Sequence, residues 1–203
     1  AVDLPEGTPE KDESVYRKAG ENFKTFLEKG YLVQDEQPGL FLYRQIMGHH
    51  HQRGLVAVSH VDDYDKELIK KHEHTRAAPE EDRTRHIEAL NAQAGPVFLT
   101  YRDVPEINAI LDETEKGEPL FDFTAPDGIQ HAAWRVADPD RLVQLFAQIP
   151  VDYIADGHHR ASAAARVARE RRAAHPEHTG DEEYNWFLTV LFPASQLQIL
   201  PYN

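Results

Sequence analysis

Hydrophobic and polar positions along this chain recur with two periods. Val15, Ala19, Phe23, Phe26 and Leu27 fall near helical spacing and predict one amphipathic helix over about 9–29. Thr8, Pro9 and Glu10 offer an N-cap, a first-turn proline and an acidic start, and Gly30 offers a C-terminal cap. Apolar runs at 40–47 and 55–61 read as two strands. Gly48-His49-His50-His51-Gln52-Arg53-Gly54 joins them as an exposed hairpin tip. Neighbours in an extended segment point to opposite faces, so these three histidines do not converge on one ion.

Pro79-Glu80-Glu81-Asp82-Arg83 opens a helix that carries Ile87 and Leu90 inward and ends near Asn91. Residues 97–101 read as a strand, 104–111 as a short helix with Pro105 near its start, and 113–118 as an acidic loop. Period two returns at 120–124, Ala125-Pro126-Asp127-Gly128 carries turn chemistry, and 129–136 comes back as a strand. His131 on that strand reads as a partnered sheet residue. Asp138 caps a helix through 141–146. Residues 185–192 form an apolar strand stopped by Pro193, and 196–200 are a candidate for another. Hairpins stand beside strand–helix units, with no repeat and no linker longer than a loop. The expected fold is therefore α+β (mixed α/β), one domain over 1–203 with a mixed sheet and flanking helices.

Composition narrows the function more than the fold. The chain has 203 residues, 40% hydrophobic and 28% charged, and contains no cysteine. Disulfides, thiolate chemistry and Cys-based zinc sites are excluded. The formal net charge of −13 repels duplex nucleic acid. The one basic concentration, 166–172, reads as a solvated helix face. No run reaches the ~18 apolar residues of a spanning helix, and the first residues lack a signal pattern. A cytoplasmic protein with neither nucleic-acid nor membrane partners is expected. The chain starts without Met and ends in the apolar run Ile199-Leu200-Pro201-Tyr202-Asn203. These ends suggest a fragment or a processed chain.

Two stretches carry candidate chemistry. In the first, Val151 to Ala155 is a short strand, Asp156-Gly157-His158-His159-Arg160 is a polar turn, and a helix runs from about His159 to Ala174. A strand turning into a helix leaves backbone N–H groups free at the positive end of the helix dipole, which favours an anion. Gly157 permits close backbone approach. His158, His159 and Arg160 add donors. The alternative is a helix capped by Asp156 with the histidines solvating the turn. In the second stretch, Lys71-His72-Glu73-His74-Thr75-Arg76 is not the zinc-protease motif, because Arg76 stands where the second histidine belongs. His72 and His74 reach one ion only if the segment is extended, since on a helix they lie about 200° apart. A helical segment would instead pair Glu73 with Arg76. A carboxylate–histidine site and a surface helix end are both open on this reading, and the two stretches are expected as neighbours at strand ends.

A resemblance runs through these residues in order. Lys71 to Arg76, Asp82-Arg83, Gly95-Pro96-Val97-Phe98, His131 with Trp134, Tyr153 to Arg160 and Ile199 to Asn203 resemble the prokaryotic family labelled domain of unknown function 1015. Members of that family usually extend at both ends, so the resemblance implies that 1–203 is the central portion of a longer native chain. The Asp-Gly-His-His-Arg turn also resembles ParB-type nucleotide-binding domains and sulfiredoxin, and in chemistry the ParB-like free-serine kinases. That resemblance implies a phosphate cradle at Gly157, His158, His159 and Arg160. Without cysteine the chain departs from sulfiredoxin's sulfinic-acid repair, and it has no basic helix-turn-helix of partitioning ParB.

The expected partners are thus a nucleotide, ATP or ADP with Mg²⁺, and a small hydroxyl substrate such as free serine. In the kinase reading Asp156 binds Mg²⁺ or accepts the acceptor's proton, Glu73 is the general base and His72 tunes it. Arg76, with Thr75, meets the substrate, the arginine through a carboxylate. One alternative is a nucleotide-sensing switch without transfer chemistry. Another is a metal-dependent hydrolase using His72, His74, Asp156 and His158.

Overall fold

The computed structural model describes residues 7–9 and 11–199. Eight strands, β1 (Phe41–Met47), β2 (His50–His60), β3 (Ile69–Lys70), β4 (Val97–Tyr101), β5 (Phe121–Thr124), β6 (Gln130–Arg135), β7 (Asp152–Asp156) and β8 (Trp186–Pro193), build one mixed sheet. Their order is β3-β7-β4-β8-β2-β1-β6-β5, parallel only between β3 and β7 and between β4 and β8. Six α-helices among the described residues complete an α+β fold: α1 (Glu13–Glu28), α2 (Val61–Asp65), α3 (Ala77–Leu90), α4 (Pro105–Glu115), α5 (Pro139–Phe146) and α6 (His158–Ala174).

Period two in the sequence becomes one apolar row across six strands. Trp134 pairs with Leu42, Leu42 with Leu55, Leu55 with Leu191, Leu191 with Leu99, and Leu99 with Ile154. All six are buried. A one-residue slip of any strand would move its member to the other face, so the row sets the register. Ile107 and Leu111 of α4, Leu142 and Leu145 of α5 and the alanines of α6 join the same core. Ala161, Ala164, Ala165 and Ala168 present almost no side-chain bulk, which lets α6 lie close to its neighbours; α3 packs on α6, and α1 on α3. No helix among the described residues is long and apolar enough to cross a membrane.

Several local expectations change. The stretch 48–54 is not a loop tip. Gly48 and His49 alone make the turn, with Gly48 at φ 60, and pairing resumes at Met47 with His50. A glycine at positive φ in the first position suits a two-residue hairpin, so His50 and His51 belong to β2. α1 begins later than Pro9, because the Asp12 carboxylate caps it by accepting the Ser14 N–H at 2.8 Å. The acidic stretch after 112 stays helical to Glu115, where Glu115 is held by Arg44 and Arg53 at 2.7 and 2.8 Å. Ala194–Gln196 is a 3₁₀ turn and 197–199 pair with no strand; Leu200 lies outside the described residues. The basic face of α6 is paired as well as solvated: Arg166 bonds Glu81 and Glu170, Arg169 bonds Asp65, and Arg172 bonds Asp62 and Asn185.

Candidate functional site

β7 leaves the sheet at Asp156, turns on Gly157 and enters α6 at His158. Gly157 is the N-cap at φ 96, in the left-handed region. A Cβ there would be strained by the backbone conformation and would meet the Arg160 Nε at 2.9 Å, so the guanidinium would have to shift. The cap has no side-chain acceptor, and the first turn holds no acid. α1 and α5 differ, since Asp12 and Asp138 each accept an N–H of their own first turn. The Gly157 carbonyl takes the N–H groups of Arg160 and Ala161, which closes the turn behind the leading end of the helix. Asp156 therefore does not cap α6. Its carboxylate instead binds the Arg160 guanidinium, which also donates to the Pro96 carbonyl.

Both histidines line the same turn, and each uses its Nε2 to accept a backbone N–H. His158 is buried, and its Nε2 accepts the backbone N–H of His72 at 3.3 Å. Its Nδ1 lies 3.8 Å from the Glu73 carboxylate. The His72 ring packs edge-on against it, centroids 4.3 Å apart. Burial first, and the His72 ring second, lower the pKa of His158 below its ordinary value, outweighing the carboxylates of Glu73 and Asp156. The ring is then neutral, with Nε2 free to accept. His159 Nε2 accepts the backbone N–H of Arg76 at 3.1 Å. Both rings thus fasten the 71–76 stretch to the start of α6. That stretch is not helical, so the Glu73–Arg76 helical pair does not form.

A cleft of about 190 Å³ opens at this point, lined by Glu73, Arg83, Asp156, Gly157, His158, His159 and Arg160. Positive charge comes from the α6 N-terminus, Arg160 and Arg83, and negative charge from Asp156 and Glu73. Glu73 is about half exposed, open to a small molecule. Thr75 and Arg76 do not line this cleft. Thr75 bonds Glu80 at 3.2 Å and lies 3.5 Å from the Ser162 hydroxyl, within a polar cluster under α3. Arg76 is the N-cap of α3, its side chain exposed beside the site. His74 is exposed outside it. Among the described residues no three His, Asp or Glu side chains are arranged to hold a metal ion, so His72, His74, Asp156 and His158 are not gathered as one ligand set.

A family model described as a protein of unknown function (DUF1015) matches residues 1–203. The chain belongs to the DUF1015 family. No curated protein and no solved structure is significantly similar to it.

In this DUF1015 protein the sequence pattern points to the turn and to the 71–76 stretch, and the fold brings both to one cleft. Arg83 is the cleft residue that pattern alone passes over as part of a helix start. It reaches the cleft because α3 packs against α6. A faint signal exists: Arg83, His86 and Ile87 fall at i, i+3 and i+4 and share one helix face. His131, read as a sheet residue, does have partners, accepting or donating at 2.6 Å to the Tyr43 hydroxyl and stacking on Phe123.

Proposed function

We propose that the cleft at the start of α6 binds the phosphates of ATP or ADP and serves phosphoryl transfer to a small hydroxyl compound, free serine being the model acceptor. The observation that supports this is convergence. A helix N-terminus without a side-chain cap, two arginines and two accessible carboxylates face a single cleft. Phosphoryl transfer asks for little more from a protein than charge neutralisation, positioning and a place for one proton.

In this reading each residue has a role that the geometry supports. The leading N–H groups of α6 and the guanidinium of Arg83 hold phosphate oxygens. Arg160 holds the turn through Asp156 and Pro96 and presents its remaining donors to the same anion. Glu73 takes the hydroxyl proton as the acceptor oxygen bonds to phosphorus and the bridging bond to the leaving phosphate breaks. Neutral His158, 3.8 Å from Glu73, keeps that carboxylate beside the helix start without neutralising it. Arg76, exposed and next to the stretch that carries Glu73, meets the acceptor's carboxylate in this reading.

Mg²⁺ fits through Asp156. The ion commonly takes one or two carboxylates and fills the rest of its shell with phosphate oxygens and water, which needs no dedicated protein cage. Asp156 is largely exposed and bonds Arg160 through Oδ2, which leaves its Oδ1 to serve. Bound there, the ion would neutralise charge on the transferred group.

The test is incubation of the chain with ATP or ADP, Mg²⁺ and a panel of hydroxyl compounds, reading phosphorylated product, beside nucleotide binding by calorimetry. Glu73→Gln is expected to keep binding and lose turnover. Binding without turnover in the unmodified chain would replace the kinase reading with a nucleotide-sensing module. Absence of both binding and product would end the phosphate reading.

A further inference from the structure

The 190 Å³ cleft is smaller than the roughly 300–1,000 Å³ of typical small-molecule sites. It does not end at Arg160. A second cleft of about 330 Å³ continues from it, lined by Arg83, His86, Ile87, Gln93, Ala94, Gly95 and Arg160. Arg83 and Arg160 line both. They form the shared waist of one groove running from the α6 turn along α3.

The second cleft has a different chemistry from the first. No carboxylate lines it. Ile87 and Ala94 give it apolar surface. His86 is half-buried, and burial together with the charge of Arg83 pushes its imidazole below its ordinary value, so the ring is a neutral flat surface. Gln93 is half-buried and makes no side-chain hydrogen bond among the described residues, leaving its amide with a free donor and a free acceptor. The ligand that suits such a groove is anionic at one end and carries a flat, neutral ring with donors and acceptors on its edge at the other.

We propose that this second cleft, on the α3 side of the Arg83–Arg160 waist, takes the nucleoside half of the ligand, with the base against His86 and Ile87 and its edge on the Gln93 amide. The inference rests on the reading of the first cleft as a phosphate site. It adds a location and a reason for preferring nucleotides over bare polyphosphate.

The experiment compares ATP with inorganic tripolyphosphate by calorimetry on the intact 203-residue chain. Tripolyphosphate carries the anion without a base, so it reads the arginines and the α6 turn but makes no use of His86, Ile87 or the Gln93 amide. Two variants touch the second cleft and leave the lining of the anion cleft intact: Gln93→Ala removes the amide, and Ala94→Phe fills the space from an exposed loop position. Loss of the edge contact in one variant and of the space for the base in the other is expected to weaken ATP about tenfold each, about 1.4 kcal/mol. Tripolyphosphate binding should be unchanged in both. ATP and tripolyphosphate bound equally well, with neither variant affecting ATP, would overturn the nucleoside cleft and leave the anion cleft standing. Binding of neither ligand to the unmodified chain would overturn the anion reading, and this inference with it.

Discussion

His159 accepts the backbone N–H of Arg76 through Nε2 at 3.1 Å, joining residues 83 positions apart. His158 does the same for His72 at 3.3 Å. Adjacent residues at the first turn of α6 thus hold both ends of a stretch that lacks regular structure of its own. This arrangement keeps Glu73 at the cleft.

A single hydrogen bond of this kind contributes about 0.5–1.5 kcal/mol net. His159→Ala is therefore expected to raise amide exchange across 72–76 by up to about tenfold, while the buried alanine face of α6 keeps its protection. Hydrogen–deuterium exchange read by mass spectrometry checks this. Unchanged exchange at Arg76 would mean that the stretch is held by something else.

His158 adds a pH dependence. Its folded pKa lies below the unfolded value of 6.5, from burial first and the His72 ring second. Between the two values the unfolded chain binds the extra proton, so stability rises with pH through that window and falls as pH drops below about 6.5. His158→Gln is expected to flatten that part of the profile, measured by urea denaturation at a series of pH values. A profile identical to that of the unmodified chain would refute the buried neutral imidazole.

Gly157 is where the turn is most exposed to a single change. At φ 96 and with Arg160 Nε 2.9 Å from where a Cβ would sit, Gly157→Ala meets both strain and contact. The expected loss is on the order of 1–3 kcal/mol of stability, with loss of phosphate binding. Denaturant midpoints and tripolyphosphate titration read the two effects separately. A variant of full stability would show that the turn can adopt another path.

Asp152, at the start of β7, opposes folding near neutral pH. Burial, and then the charge of Asp63, push its pKa from 3.8 to about 6, and its Oδ1 has no hydrogen-bond partner among the described residues. A raised carboxylate pKa means that the folded state holds the proton longer. Stability from this group is therefore greatest below the unfolded value and declines as pH rises towards about 6. Asp152→Asn should stabilise the chain by on the order of 1–2 kcal/mol at about pH 7.5, with the gain shrinking on acidification. A gain independent of pH would exclude the ionised carboxylate as its source.

The sheet was legible because burial and pleat speak the same period. Leu42, Leu55, Leu99, Ile154 and Leu191 each occupy one position of an alternating or apolar run, and their register follows from placing them on one face. α5 was legible from Asp138 and Pro139, and α6 from its alanines. The path of 71–76 was not, since its shape depends on two imidazoles more than 80 residues away. His50 and His51 were misplaced because a polar, histidine-rich segment looks like a loop, whereas backbone pairing with β1 continues regardless of side-chain polarity. Arg83 reaches the site through the packing of α3 on α6, a long-range relation of which its shared helix face with His86 and Ile87 gives only a faint local sign.

Arg83 offers the cleanest separation of binding from stability. Its side chain is about half exposed, and its partner in the fold is the adjacent Asp82 at 3.3 Å. Such a surface pair contributes about 0–1 kcal/mol, so Arg83→Met should leave the denaturation midpoint nearly unchanged. A charge-assisted bond to a phosphate contributes about 1.5–3 kcal/mol, so tripolyphosphate binding should weaken at least about tenfold. Arg141→Met, on α5 and outside both clefts, removes the same charge elsewhere. If the two variants weaken binding equally, net charge rather than the α6 cleft attracts the anion. If only Arg83→Met does so, and more steeply at low salt, the anion sits between α3 and the first turn of α6.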